Sequence, residues 1–190
     1  LPPLLSATDM LGCGEDLGMI PSCVPEVMEK LQLLSLEIQR MPKQYGVEFG
    51  DTNNYPYRSV CSTSTHDMSG IRGWWQENRE LTQRYYNNVL QLEGEAPDDM
   101  TPECAEKILE LHLQSPSMIA IFPLQDWLSM DANVRRKEYD AERINVPADP
   151  QNNWCYRMHL TLESLKRKRN INAKIKRLID ASNRTEDYEK

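Results

Sequence analysis

Long hydrophobic runs are missing from this 190-residue chain: the longest unbroken apolar stretch, Met118–Phe122, is strand-sized. That excludes a membrane-spanning helix, which needs about 20 such residues. Basic charge is in deficit, with 22 Lys and Arg against 29 Asp and Glu and a formal net charge of -7. The balance argues against general affinity for nucleic acid or anionic lipid and is compatible with a neutral substrate such as a sugar. Cysteine is sparse and odd in number. Cys13, Cys23, Cys61, Cys104 and Cys155 show neither the paired spacing of a metal site nor the density of a disulfide framework, so reduced thiols in a cytosol are expected. The first residues, Leu1-Pro2-Pro3-Leu4-Leu5, lack the basic head and long apolar core of a secretory signal. The first residue is Leu rather than Met, so the chain is expected to begin at a cut. No internal repeat or low-complexity tract stands out.

What is present alternates between strand and helix patterns. Asp9 to Leu17 reads as a strand that stops at two adjacent carboxylates, Glu15 and Asp16, fenced by Gly12, Gly14 and Gly18. Taken alone, Gly-Glu-Asp reads better as an ordinary surface turn than as a site, because such turns are common in any protein. Val24, Val27, Met28 and Leu31 then fall at helical spacing over Pro21 to Leu33, with Pro25 in the first turn. Leu34 to Met41 alternates as a second strand, and Lys43 to Arg58 is a long irregular connection. Its Tyr45, Phe49, Tyr55 and Tyr57 either stack on sugar faces or pack the loop.

Ser59 to Thr65 supplies a third strand, ending in His66-Asp67, and Gly70 to Leu90 reads as one long helix. An acidic linker, Leu92 to Met100, precedes a helix capped by Thr101, with Pro102 at its first position and Ala105, Ile108, Leu109 and His112 buried. Met118–Phe122 has the pattern of a buried strand. A charged stretch, 135–143, leads into the loop Ile144 to Trp154. Helical patterns follow from Leu160, and Asn170 is placed as the cap of a last helix bearing Ile171, Ile175, Leu178 and Ile179. The basic run Lys166-Arg167-Lys168-Arg169 is read as a solvated face, and the polar tail from Asn183 is expected to fray. Strands alternating with helices imply an α/β fold with parallel pairing. Each candidate acid lies just after a strand, where α/β sheets and barrels place their chemistry.

Three stretches carry a resemblance: Gly14-Glu15-Asp16-Leu17-Gly18-Met19-Ile20-Pro21, then Ser64-Thr65-His66-Asp67 with Arg72-Gly73-Trp74-Trp75, then Ile144-Asn145-Val146-Pro147 with Asn153-Trp154. In order and spacing they resemble the 4-alpha-glucanotransferases, the amylomaltase or disproportionating-enzyme family. The resemblance runs to about Arg157 and matches only the C-terminal part of a family member. It implies that all 190 residues form the C-terminal half of a (β/α)8 catalytic barrel, with four of its strands, acting on maltooligosaccharides or alpha-1,4-glucans in the cytoplasm. No cofactor and no metal are implied.

Retaining glycosyl transfer needs a nucleophile and an acid/base about 5–5.5 Å apart. By the resemblance Glu15 is the acid/base, and Asp16 is a motif neighbour, a candidate buried hydrogen-bond anchor. Asp67 is the third acid, which binds sugar hydroxyls near the reacting carbon, with His66 as its companion. Asn145 is the substrate-binding Asn of the Asn-x-Pro loop, with Ala148 where the family has Gly. Arg72, Trp74 and Trp75 are structural. The nucleophilic Asp belongs at the end of the preceding strand, and nothing before Glu15 matches its motif; Asp9 is no substitute. Three readings follow: transferase, alpha-glucan hydrolase, or a noncatalytic glucan-binding fragment. Half a barrel would also leave open sheet edges, so self-association is expected.

Overall fold

The alternation at Leu34–Ile38 becomes a strand, β1 (Ser35–Ile38), that buries Ile38 at its end, with Leu34 buried just before it. The structure is a computed structural model that describes residues 1–18, 20–151 and 154–184. Met19 and Asn153 of the resemblance, and residues 185–190 of the polar tail, lie outside the described residues.

The chain divides into two compact units, the first made of Leu1–Ser62 with Gln114–Ile121 and the second of Thr63–Leu113 with the residues from Phe122 onward. In the first unit a helical turn, α1 (Pro2–Leu5), and a helix, α2 (Val24–Lys30), precede β1. A second strand, β2 (Ser59–Ser62), pairs in parallel with β1, Leu36 opposite Val60, and a two-residue strand, β3 (Ile119–Ala120), pairs in parallel with β2. The order is β1-β2-β3. An irregular segment with one 3-10 turn joins β1 to β2, and helices lie between β2 and β3 in sequence; parallel pairing with such helices makes the α/β class expected from the alternation.

Several local expectations are corrected. Asp9 to Leu17 is not a strand: one parallel bridge, Cys13 with Leu34, holds it, through Gly14 N–H to Leu34 O (2.8 Å) and Leu34 N–H to Gly12 O (2.9 Å). Three glycines in seven residues weaken a ladder, and Gly18 turns away at φ 86°. On α2 only Met28 is buried, and Val27 is 42% exposed. Met118–Phe122 supplies just two strand residues and leaves Ile121 60% exposed. It is an edge, bounded by Pro123, rather than a buried strand.

The second unit is helical: α3 (Ile71–Glu77), α4 (Arg79–Asn88), α5 (Pro102–Leu113), α6 (Leu124–Leu128), α7 (Leu162–Arg167) and α8 (Arg169–Ala181). The single helix expected over 70–90 is two, because Asn78 adopts an extended conformation and its Oδ1 accepts from Leu81 N–H, capping α4. A side chain that bonds nearby main chain competes with the helix interior. Likewise α8 starts at Arg169, so Asn170 is inside it rather than its cap; in its first turns Asn172 Nδ2 donates to Leu165 O at 3.0 Å. Ile171 and Leu178 are its buried residues. The helix α5 forms as expected, with Thr101 Oγ1 accepting from Cys104 N–H and with Ala105, Ile108, Leu109 and His112 buried. Its His112 is a packed residue, Nδ1–H donating to Ile108 O at 2.7 Å.

The core of this unit forms around α3. Trp75 is fully buried with Nε1–H donating to Pro97 O, and Trp74 meets Tyr85 edge-on at 4.9 Å. Arg72, 8% exposed, pairs with Glu142 at 2.9 Å and donates to the carbonyls of Arg136 and Lys137. These three residues are the supports their motif suggested.

Candidate functional site

In the first unit the two adjacent acids part company. Neighbouring residues of an extended segment face opposite ways, and here Asp16 turns in while Glu15 stays exposed. Asp16 Oδ1 accepts from Leu36 N–H at 2.9 Å, and its Oδ2 lies 2.7 Å from Lys43 Nζ, which also reaches Glu37 at 2.7 Å. Asp16 is thus a buried anchor that fastens the bridge segment to β1. Glu15 Oε1 accepts from Leu17 N–H at 2.8 Å, which leaves the second oxygen toward solvent. Of the loop aromatics, Tyr55 is buried and Tyr45 and Tyr57 are exposed.

In the second unit His66, Asp67 and Asn145 come together. Their loop is tied down at both ends by Asp126, which is 1% exposed: its Oδ2 accepts from Thr63 Oγ1 (2.6 Å) and Ser64 Oγ (2.9 Å), and its Oδ1 accepts from Ile71 N–H (3.0 Å). Gly70 is needed there because a Cβ would sit 2.8 Å from Asp126 Oδ1. Between these ties the chain turns, with Thr65 Oγ1 accepting from Asp67 N–H at 3.3 Å.

The turn presents Asp67 about half exposed. Asn145 Nδ2 donates to its Oδ1 at 2.5 Å, and His66 Nε2 lies 3.4 Å from its Oδ2. The main chain couples the same loops, Asn145 N–H donating to His66 O at 3.1 Å. The His66 ring packs on Trp154, centroids 4.8 Å apart, and Trp154 is 54% exposed with φ 51°. A carboxylate held on both oxygens yet open on one side can accept hydrogen bonds from two ligand hydroxyls, beside an aromatic face suited to a pyranose. The Asn-x-Pro loop tolerates Ala148: Asp149 N–H closes a turn onto Val146 O at 2.8 Å, and Ala148 is not at positive φ.

Arg143 and Glu142 were not singled out from the sequence. Burial pushes the Glu142 carboxyl up to about 7, against the pull of Arg72 and with Asp126 adding to the rise. Arg143 donates to Asn145 O and to Asp67 O. Its position two residues before Asn145 was the available signal, hidden in a stretch read only as charged. A cleft of about 380 Å³, lined in part by Ser69, Glu142, Arg143 and Val146, adjoins the cluster. Glu15 belongs to the first unit and His66, Asp67 and Asn145 to the second.

Comparison with known proteins bears on this arrangement. A family model described as 4-alpha-glucanotransferase matches residues 4–162. The rice (Oryza sativa subsp. japonica) 4-alpha-glucanotransferase DPE2 is 45% identical over 185 residues, 97% of this chain and 20% of that protein. The 4-alpha-glucanotransferase of Chlamydia trachomatis serovar D is 29% identical over 189 residues, 94% of this chain and 34% of that one. Among solved structures, the amylomaltase of Streptococcus agalactiae in complex with acarbose superposes with a TM-score of 0.68 at 22% identity, covering 92% of this chain and 32% of that one. The chain therefore spans between 20% and 34% of the length of these relatives.

Proposed function

Since this chain belongs to the 4-alpha-glucanotransferase family, we propose that it is the C-terminal part of a catalytic barrel that moves alpha-1,4-glucan segments between maltooligosaccharides by a retaining double displacement. The observation that carries the proposal is the meeting of His66, Asp67 and Asn145, brought together across 78 residues of chain onto one half-exposed carboxylate. The parallel series of the Cys13 bridge, β1, β2 and β3 supports the barrel reading as four consecutive strand positions.

In this mechanism Glu15 protonates the departing sugar oxygen and then, ionised, takes the proton of the incoming 4-hydroxyl. Its exposed oxygen suits that exchange. Asp67 accepts hydrogen bonds from hydroxyls beside the reacting carbon and favours the distorted ring of the transition state. His66 and Asn145 hold Asp67 and contact the same sugar. The nucleophile is an Asp supplied by the part of the protein preceding Glu15, so residues 1–190 alone do not turn over, and the intact protein works in the cytoplasm on neutral glucans.

Incubating the intact protein with maltotriose tests the assignment. Transfer gives glucose together with a ladder of oligosaccharides longer than the substrate. Glucose and maltose alone would make it an alpha-glucan hydrolase, and binding of maltotriose without products would leave only a glucan-binding protein.

A further inference from the structure

One side chain joins the two loops of the cluster and has no part in the chemistry proposed above. The Arg143 guanidinium donates from Nε to Asn145 O at 2.7 Å, from Nη2 to Asp67 O at 3.1 Å and from Nη1 to Ser69 Oγ. The Ser69 hydroxyl in turn donates to Glu77 Oε1, and the Glu77 carboxylate lies 3.9 Å from Arg143 Nη1. Three nitrogens of one rigid plane thus meet three acceptors, two of them the main-chain carbonyls of the residues whose side chains pair.

We propose that Arg143 is a positioning residue for glucan transfer, fixing the separation of Asp67 and Asn145 while touching no substrate. The inference rests on the assignment of Asp67 and Asn145 to the sugar site. One part-buried side-chain hydrogen bond is too weak to hold two irregular loops in register by itself. A carboxylate misplaced by about 1 Å can cost about 100-fold in rate. Gripping the carbonyls of both residues removes the freedom that their side chains would otherwise have to restrain. Lys cannot replace the fork, because an ammonium carries its three donors on one atom and cannot span acceptors spread over two loops.

The test compares Arg143→Lys and Ser69→Ala with the unaltered intact protein. Hydrogen exchange is followed by mass spectrometry over residues 65–70 and 143–148, with α5 as internal reference, beside kcat and KM on maltotriose. For Arg143→Lys the expected result is exchange at least about tenfold faster in both loops with α5 unchanged, and kcat lowered about 10- to 100-fold with KM shifted far less. Ser69→Ala, which removes one acceptor and keeps Arg143, should show the same pattern at about 2- to 5-fold, and stands in if the Lys variant does not fold. Unchanged loop exchange in the folded variants overturns the proposal. So does full kcat with loosened loops, and so does a rate loss matched by equal loosening of α5, which would mean general destabilisation. Absence of transfer by the unaltered protein is a different failure, that of the sugar-site assignment.

Discussion

Asn145 donates its side-chain amide to Asp67 Oδ1 at 2.5 Å although 78 positions separate them in the chain. Asn145 is 8% exposed, so this donor cannot be replaced cheaply by water. Asn145→Ala is expected to lower kcat/KM for maltotriose by about 100- to 1,000-fold, the range for losing one preorganised donor. Asn145→Asp should differ in its pH profile. Two carboxyls at that distance share a proton, so residual activity should rise as pH falls, and a profile parallel to that of the unaltered protein would remove Asn145 as the partner of Asp67.

Asp16 and Lys43 form the second pair with a clear energetic signature. Asp16→Asn keeps an acceptor for Leu36 N–H, whereas Asp16→Ala leaves that amide unpaired and the ammonium with Glu37 alone. Expected losses in urea unfolding are about 1 kcal/mol for Asn and about 2–3 kcal/mol for Ala. Adding Lys43→Met to Asp16→Ala should recover part of the larger loss. Strict additivity would mean the pair is not coupled.

Glu142 makes stability depend on pH. Its folded-state value, about 7, lies above the ordinary 4.5, so the folded protein keeps a proton that the unfolded chain has released. Stability is therefore highest below the window from 4.5 to about 7 and falls as pH rises through it. Arg72 at 2.9 Å limits the fall, and burial outweighs it. The melting temperature of Glu142→Gln, lower in absolute terms, should change less between about pH 4.5 and 7 than that of the unaltered protein. An equal or steeper slope in the variant would assign the dependence elsewhere.

By itself the chain should associate with a second copy. Leu1, Leu4, Met10, Leu11 and Ile121 of the first unit are between 55% and 78% exposed, and β3 ends the sheet after two residues. Open edges with apolar neighbours recruit partners. Light scattering should give a mass above 22.1 kDa that drops toward it on Ile121→Lys, whereas a dilute monomer with a sharp melt contradicts the expectation.

How far the sequence foretold this depended on the range of each interaction. The helix α5 was legible because Thr101, Pro102 and a 3.6-residue apolar period all act within a turn or two. Asp16 as an anchor came only with the resemblance, as the motif neighbour of Glu15. The division at Asn78 was not legible, since an Asn amid helix formers announces a cap only once its side chain is seen on Leu81 N–H. Nor was Arg143, whose place two residues before Asn145 was the one signal and whose bond to Asp67 reaches a main-chain carbonyl 76 positions away. The motifs carried by resemblance located His66, Asp67 and Asn145, and the contacts that hold them had to come from the fold.

The most direct test of the roles proposed for the two acids compares Glu15→Gln with Asp67→Asn in the intact protein, on maltotriose and on an activated aryl maltooligoside. Glu15→Gln removes proton transfer and should cost about 100- to 10,000-fold on maltotriose. A good leaving group needs no proton, so the aryl substrate should restore much of the first step. Asp67→Asn weakens the hold on the distorted sugar in both steps, and the aryl substrate should not rescue it. Equal rescue of the two variants, or rescue of Asp67→Asn alone, would contradict the roles assigned to Glu15 and Asp67.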